Sequence, residues 1–163
     1  MTIQDDIARV QEQEKILRFD RFDLDSAWSV CADLRRMAME RGYVLSADLR
    51  INGMQAVYFA LPGAKPDFEY WIYRKRNLVH RFQRSSYGIG LELKAEETTL
   101  EAKWGLATTE YASHGGGFPI HVNGVGCIGT VVVSGLPQRE DHNLVVEALA
   151  RHLGLDDSGL RLP

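Results

Sequence analysis

Apolar positions along this 163-residue chain fall into stretches of two periods, helical and alternating. Ile3, Ile7 and Val10, continued by Glu14 and Leu17, form a loose stripe at helical spacing and predict a helix over 3–15. In "KILRFDRF" the residues alternate, with Ile16, Arg18, Asp20 and Phe22 on one side and Leu17, Phe19 and Arg21 on the other, which predicts a first strand. In "LDSAWSVCADLRRMAMERG" Trp28, Cys31, Ala32, Leu34 and Ala38 return to helical spacing, Asp25 or Ser26 can cap, and Gly42 stops the helix. Next, "YVLSADLRINGMQAVYFALPG" is two β-rich runs around Asn52-Gly53, a hairpin turn signal. Pro66 opens another helix, whose inward stripe is Trp71, Ile72, Leu78, Val79 and Phe82. "GIGLELKAEETTLEAKWGL" predicts one or two short helices. Asn123-Gly124 joins "FPIHV" to "CIGTVVVSG" as a second hairpin, and a last helix runs from about Gln138 to His152, closed by Gly154.

Hairpins alternating with helices specify an antiparallel sheet covered by helices, an α+β layered fold. Residues 1–155 are expected to form a single domain, and 156–163 a polar tail.

Composition narrows the function classes. At this length one core can be built without disulfides or metals. Cys31 and Cys127 lack any metal-type spacing and sit in apolar contexts, so both are expected to be buried free thiols in a reducing cytoplasm. A net charge of −3 gives no general pull toward nucleic acid or anionic lipid, and neither is an expected partner. The N-terminal stretch has no apolar signal-peptide core, and no run of about 18 apolar residues is present to span a membrane.

Three motifs compete for "HGGGFPIHVNGVGCIGTVVVSG", residues 114–135. His114-Gly115-Gly116-Gly117 resembles an oxyanion-hole segment, but no G-x-S-x-G nucleophile accompanies it. Gly124 to Gly129 spells G-x-G-x-x-G, but the first glycine belongs to a hairpin turn and the β-branched Thr130 to Val133 follow, where a dinucleotide site needs a helix. His114 and His121 lie an odd number of residues apart and would face opposite sides of a regular strand; adding Glu140, Asp141 or His142 would give a carboxylate-imidazole metal set, but no spacing forces them together.

Taken as a block, Gly116-Gly117-Phe118-Pro119-Ile120, Gly126-Cys127-Ile128-Gly129, Val133-Ser134-Gly135 and Gln138 to His142 resemble the C-terminal signature of the haem-degrading-domain family of GlcG-like and HbpS-like proteins. "WIYRKRNLVHRFQRSSYGIGLEL" is similar to the pattern of one largely uncharacterised branch of it, and the likeness runs over roughly residues 5–155. The resemblance implies an α-β-α sandwich around an antiparallel sheet, close to profilin-like and PAS/GAF-like folds. It also implies homo-oligomers of at least two chains and, for some members, haem binding with slow degradation.

Haem needs an apolar slot, an axial ligand and cations for its propionates. His114, beside the glycine run, is the first candidate for the iron, followed by His80 and His121, with Tyr87 and Tyr111 in reserve. Each histidine alone also reads as a surface or hydrogen-bonded structural residue. Gly115, Gly116 and Gly117 permit positive φ and close approach of a ligand, a second chain or merely the next strand. Arg74, Lys75, Arg76, Arg81 and Arg84 gather positive charge without an intervening acid, and Arg74 and Arg81 share a helix face. That face can attract carboxylates or phosphates, or pair with Glu92, Glu96, Glu97 and Glu101. Glu140 and Asp141 suit the first turn of the last helix. Two functions follow: a haem- or tetrapyrrole-binding protein with weak degradation chemistry, or a non-catalytic oligomeric module for ligand sensing or protein assembly.

Overall fold

The computed structural model describes residues 2–163. Its elements are α1 (Ile3–Ile16), α2 (Leu24–Glu40), β1 (Ser46–Ile51), β2 (Met54–Ala60), α3 (Pro66–Phe82), α4 (Ser86–Ala95), α5 (Leu100–Trp104), β3 (Gly117–Val122), β4 (Gly126–Ser134) and α6 (Gln138–His152). The four strands form one antiparallel sheet in the order β2-β1-β4-β3. The first hairpin closes on Asn52-Gly53 as expected, and the second contains the expected Asn123-Gly124 but closes through a three-residue loop that also takes in Val125. Asn52 and Gly53 adopt φ of 51° and 80°, the left-handed pair that matches strand twist, and Gly124 sits at φ 75°.

Side chains alternate across the sheet and so sort its two faces. Ala47, Leu49, Phe118, Ile120, Val131 and Val133 join the main core, which α2 and α6 cover with Leu34, Val145 and Leu149. The opposite face carries Asp48, Thr130, Val132 and Ser134 and is covered by α3. This second face is mostly polar, so α3 must bring charged side chains inward to satisfy it. α1 lies against α4.

Several sequence expectations are corrected. Residues 16–22 do not form a strand: Phe19 makes a single parallel bridge to Val122, while Leu17, Phe19 and Phe22 anchor the segment in the core. The ladder there is one residue long because the chain turns away into the next helix. Asp23, rather than Asp25 or Ser26, caps α2, accepting the Ser26 N–H at 2.9 Å in a reciprocal capping box. Trp28 is 67% exposed, because the inward stripe of α2 is Ala27, Val30, Cys31, Leu34, Met37 and Ala38. Cys31 is buried and Cys127 half-buried, both as free thiols. Residues 156–163 are not a loose polar tail: Leu160 and Leu162 are buried, and Asn143 holds the Leu162 backbone through hydrogen bonds in both directions.

Candidate functional site

The most unusual chemistry in the molecule is a buried ion pair between α3 and α6. Lys75 occupies the inward stripe of α3, four residues after Trp71 and three before Leu78, and is 3% exposed. Its Nζ donates to the Val133 carbonyl at 3.0 Å and to Asp141 Oδ2 at 3.1 Å. Asp141 is 1% exposed, and its Oδ1 accepts the Leu136 N–H at 3.0 Å, which fixes the carboxylate at the start of α6. Burial holds Lys75 below the usual lysine range against the pull of Asp141. Burial likewise pushes Asp141 up to about 6, opposed by Lys75 and the backbone donors of Leu136 and Gly135.

The pair lies at the back of an open pocket of about 210 Å³, whose walls include Phe68, Trp71, Leu136 and His114. Trp71, expected in the core, is only half-buried and meets the His114 ring edge-on at 4.8 Å. The Arg74 guanidinium covers Trp71 at 4.4 Å from the ring centre. His114 stands at the exposed rim, and neither ring nitrogen is hydrogen-bonded among the described residues. Partial burial, then the charges of Lys75 and Arg74, lower its pKa and keep the imidazole neutral.

The glycine run serves the packing behind this pocket. A Cβ on Gly115 would lie 2.0 Å from the Gln138 carbonyl oxygen, and one on Gly116 would lie 2.3 Å from that of Val133 and 3.0 Å from Lys75 Nζ. Gly116 also holds φ 125°. The bare backbone at Gly116 is what lets Lys75 and Asp141 meet. Gly117 donates its N–H to Ser86 Oγ at 3.0 Å.

His114, Gly115 to Gly117 and Arg74 are thus brought to one place, with Lys75 and Asp141 added. The other candidates are dispersed. His80 is exposed in a separate pocket beside Cys127 and Asn52, and His121 contacts the Arg18 guanidinium at 3.2 Å. Arg81 lies two turns along α3 from Arg74, near Tyr111. Arg84 is tied to Glu92 and Glu14, and Arg76 to the buried Asp48, so the basic run is largely spent on internal pairs. Tyr87 is buried, with Arg139 donating to its hydroxyl, and His142 is buried against it. No group of three or more metal-ligating side chains is present among the described residues. No helix among them is long and apolar enough to cross a membrane.

Sequence reasoning missed Lys75 and Asp141 as a pair. It read Lys75 as part of a surface charge cluster and explained Asp141 by the helix dipole. A signal existed, since both stand in register with apolar stripes: Lys75 with Trp71 and Leu78, Asp141 with Leu144, Val145 and Ala148.

Residues 22–150 match the family model described as haem degrading protein HbpS-like, and the chain belongs to that family. It is 56% identical to a UPF0303 protein of Rhizobium meliloti (strain 1021), with 99% of each chain covered. Among solved structures it is similar to the Ybr137w protein, at a TM-score of 0.85 and 25% identity over 92% of this chain and 89% of that one. A PduOC:haem complex shares the fold, with a TM-score of 0.68 and 14% identity over 79% of this chain and 93% of that one.

Proposed function

We propose that the protein binds haem or a related tetrapyrrole at the Trp71–His114 pocket, where His114 is the residue that would hold the iron. The observation that carries this reading is the placement of His114: exposed, edge-on to Trp71 and without a hydrogen-bond partner among the described residues, where partial burial lowers its pKa and so favours the neutral ring. Metal coordination uses the lone pair that protonation would remove. Membership of the HbpS-like family supports the same ligand class. The Phe68 and Trp71 surfaces suit an apolar macrocycle, and the charge of Arg74, stacked on Trp71, suits a propionate. The fit is to one face only. Pockets that enclose a drug-sized ligand run to roughly 300–1,000 Å³, so at about 210 Å³ this one is too small to enclose the macrocycle. Bound haem supplies the redox chemistry of any slow degradation; the chain's own part is to hold His114 neutral and to orient the ring.

A haemin titration followed by absorbance tests this. The expected result is a saturable Soret shift at about one haem per chain that His114→Ala removes. Arg74→Ala weakens affinity about five- to tenfold, the loss of one charge-assisted contact, while Arg81→Ala has a smaller effect. A non-saturable response, or a His114→Ala spectrum identical to wild type, overturns the reading.

A second reading, a non-catalytic homo-oligomeric assembly module, is favoured by one observation. The β3 edge is covered by the Phe19 segment, whereas β2, the opposite edge strand, has no neighbour beyond it among the described residues. Beside it a groove of about 680 Å³ runs between α2 and β2, with Trp28 and Met39 exposed. Unpaired edges are templates for another strand, and two copies of one edge pair about a two-fold axis. Sedimentation velocity is expected to show a dimer or larger, converted to monomer by Trp28→Glu combined with Met39→Glu. A wild-type monomer at micromolar concentration removes this reading.

A further inference from the structure

Coordination at the rim leaves the interior of the pocket unused, and that interior ends on an amine. Lys75 spends two of its three donor positions, on Val133 and Asp141, and the third is uncommitted among the described residues. A purely structural ion pair has no need of a space in front of it, yet here Lys75 and Asp141 both form the wall of an open, partly aromatic pocket. Asp141 is locked by the Leu136 N–H, so its Oδ2 stays 3.1 Å from the amine. Gly116, by lacking a side chain, removes the one obstacle between the pair and the backbone of β4.

We propose that Lys75 is a nucleophilic amine that captures a small aldehyde or ketone as an imine, with Asp141 carrying the proton. The nitrogen lone pair attacks the carbonyl carbon, forming a C–N bond as the C=O π bond breaks. Asp141 takes a proton from the nitrogen and delivers it to the oxygen, giving a carbinolamine. A second transfer along the same path releases the oxygen as water and leaves the C=N bond. Both hydrogens of that water come from the amine, so the step needs no oxidant, reductant or metal, and it reverses by hydrolysis. Burial favours the neutral amine and brings Asp141 towards neutrality, which suits both roles. The pocket's size and its Phe68, Trp71 and Leu136 walls select a carbonyl compound of a few carbons, and Asp67 at the mouth disfavours an anionic one. The inference goes beyond tetrapyrrole binding and stands without it, since the macrocycle does not enter this space.

The test uses the full chain, haem-free, with propionaldehyde and sodium cyanoborohydride at neutral pH, followed by digestion and mass spectrometry. Each of the five lysines then reports its rate of N-propylation. Lys15, Lys65, Lys94 and Lys103 are exposed and act as internal standards. Only the unprotonated amine attacks a carbonyl, so their rates give the scale against which Lys75 is read. The expected result is that Lys75 reacts at least about tenfold faster than these four, saturably in aldehyde while theirs stay linear, and that Asp141→Asn slows Lys75 alone. Labelling of Lys75 at or below the rate of the exposed lysines overturns the proposal, whatever the haemin titration gives. The wild-type comparison decides the matter even where Asp141→Asn fails to fold.

Discussion

Lys75→Met lowers the free energy of unfolding by about 3–5 kcal/mol, because it leaves the buried Asp141 carboxylate without its partner. The reverse variant, Asp141→Leu, strands the amine and also releases the Leu136 N–H, at a similar cost. Lys75→Met combined with Asp141→Leu recovers most of the loss and falls within about 1–2 kcal/mol of wild type, since two apolar side chains can pack where two charges needed each other. Urea unfolding of the four proteins, with unchanged m-values, measures the coupling directly. Single variants that each cost less than about 1 kcal/mol would show that the pair is solvated rather than buried. The cycle also separates stability from the proposed amine chemistry: the double variant is expected to fold, and it has no amine at position 75.

His142→Gln removes most of the acid sensitivity that this histidine confers. His142 is buried, donates from Nε2 to Gln13 Oε1 at 2.8 Å, and has no partner for Nδ1 among the described residues. Gln13 passes the link on to the Leu160 carbonyl, so α6, α1 and the C-terminal segment meet at this point. Burial, aided by Arg139, depresses the His142 pKa from 6.5 to about 3. The unfolded chain therefore takes up a proton at this site below about 6.5, and the native chain does so only near 3. Stability from this group is complete above about 6.5 and is lost as pH falls towards 3, by up to roughly 5 kcal/mol at 1.36 kcal/mol for each pKa unit. Asp141 acts in the opposite sense. Raised from 3.8 to about 6, it holds a proton in the native state that the unfolded chain has released, so it costs stability as pH rises from 3.8 to 6. The two slopes offset each other over that window, and the wild-type profile is correspondingly shallow there. The difference between wild type and His142→Gln isolates the histidine. Urea midpoints from pH 3 to 8 are expected to show the wild type losing more stability than the variant on acidification. Parallel curves would mean that His142 is already charged or solvated in the native state.

Much of this architecture was legible in the residues themselves. Asn52-Gly53 and Asn123-Gly124 are local signals: a tight turn needs left-handed backbone, which Asn52 and Gly53 both supply in the first hairpin and Gly124 supplies in the second. The helices from Leu24, Pro66 and Gln138 were readable because their apolar residues recur at the period of one face. The G-x-G-x-x-G string could be set aside because the β-branched run from Thr130 to Val133 cannot easily be the first turn of a helix, and it is indeed part of β4. Gathering His114, the glycines and Arg74 at one place came from the block resemblance rather than from any single spacing.

What failed were statements about partners far apart in the chain. The alternation of 16–22 predicted a strand, but a strand exists only where a neighbour runs alongside it, and past Phe19 no neighbour does. Trp28 and Trp71 sat in plausible stripes, yet a stripe shows which residues share a face and not where the covering element ends. Lys75 looked like one more cation of a basic run. Sequence alone determined the order of helices and hairpins, the layered α+β class and the position of the glycine-rich strand. Only the tertiary structure decided that Lys75 turns inward, because its partner lies 66 residues away and becomes one only when α6 packs behind Gly116. Helix and turn signals act between near neighbours in the chain, whereas the charge balance of a buried site is set by elements that meet only on folding.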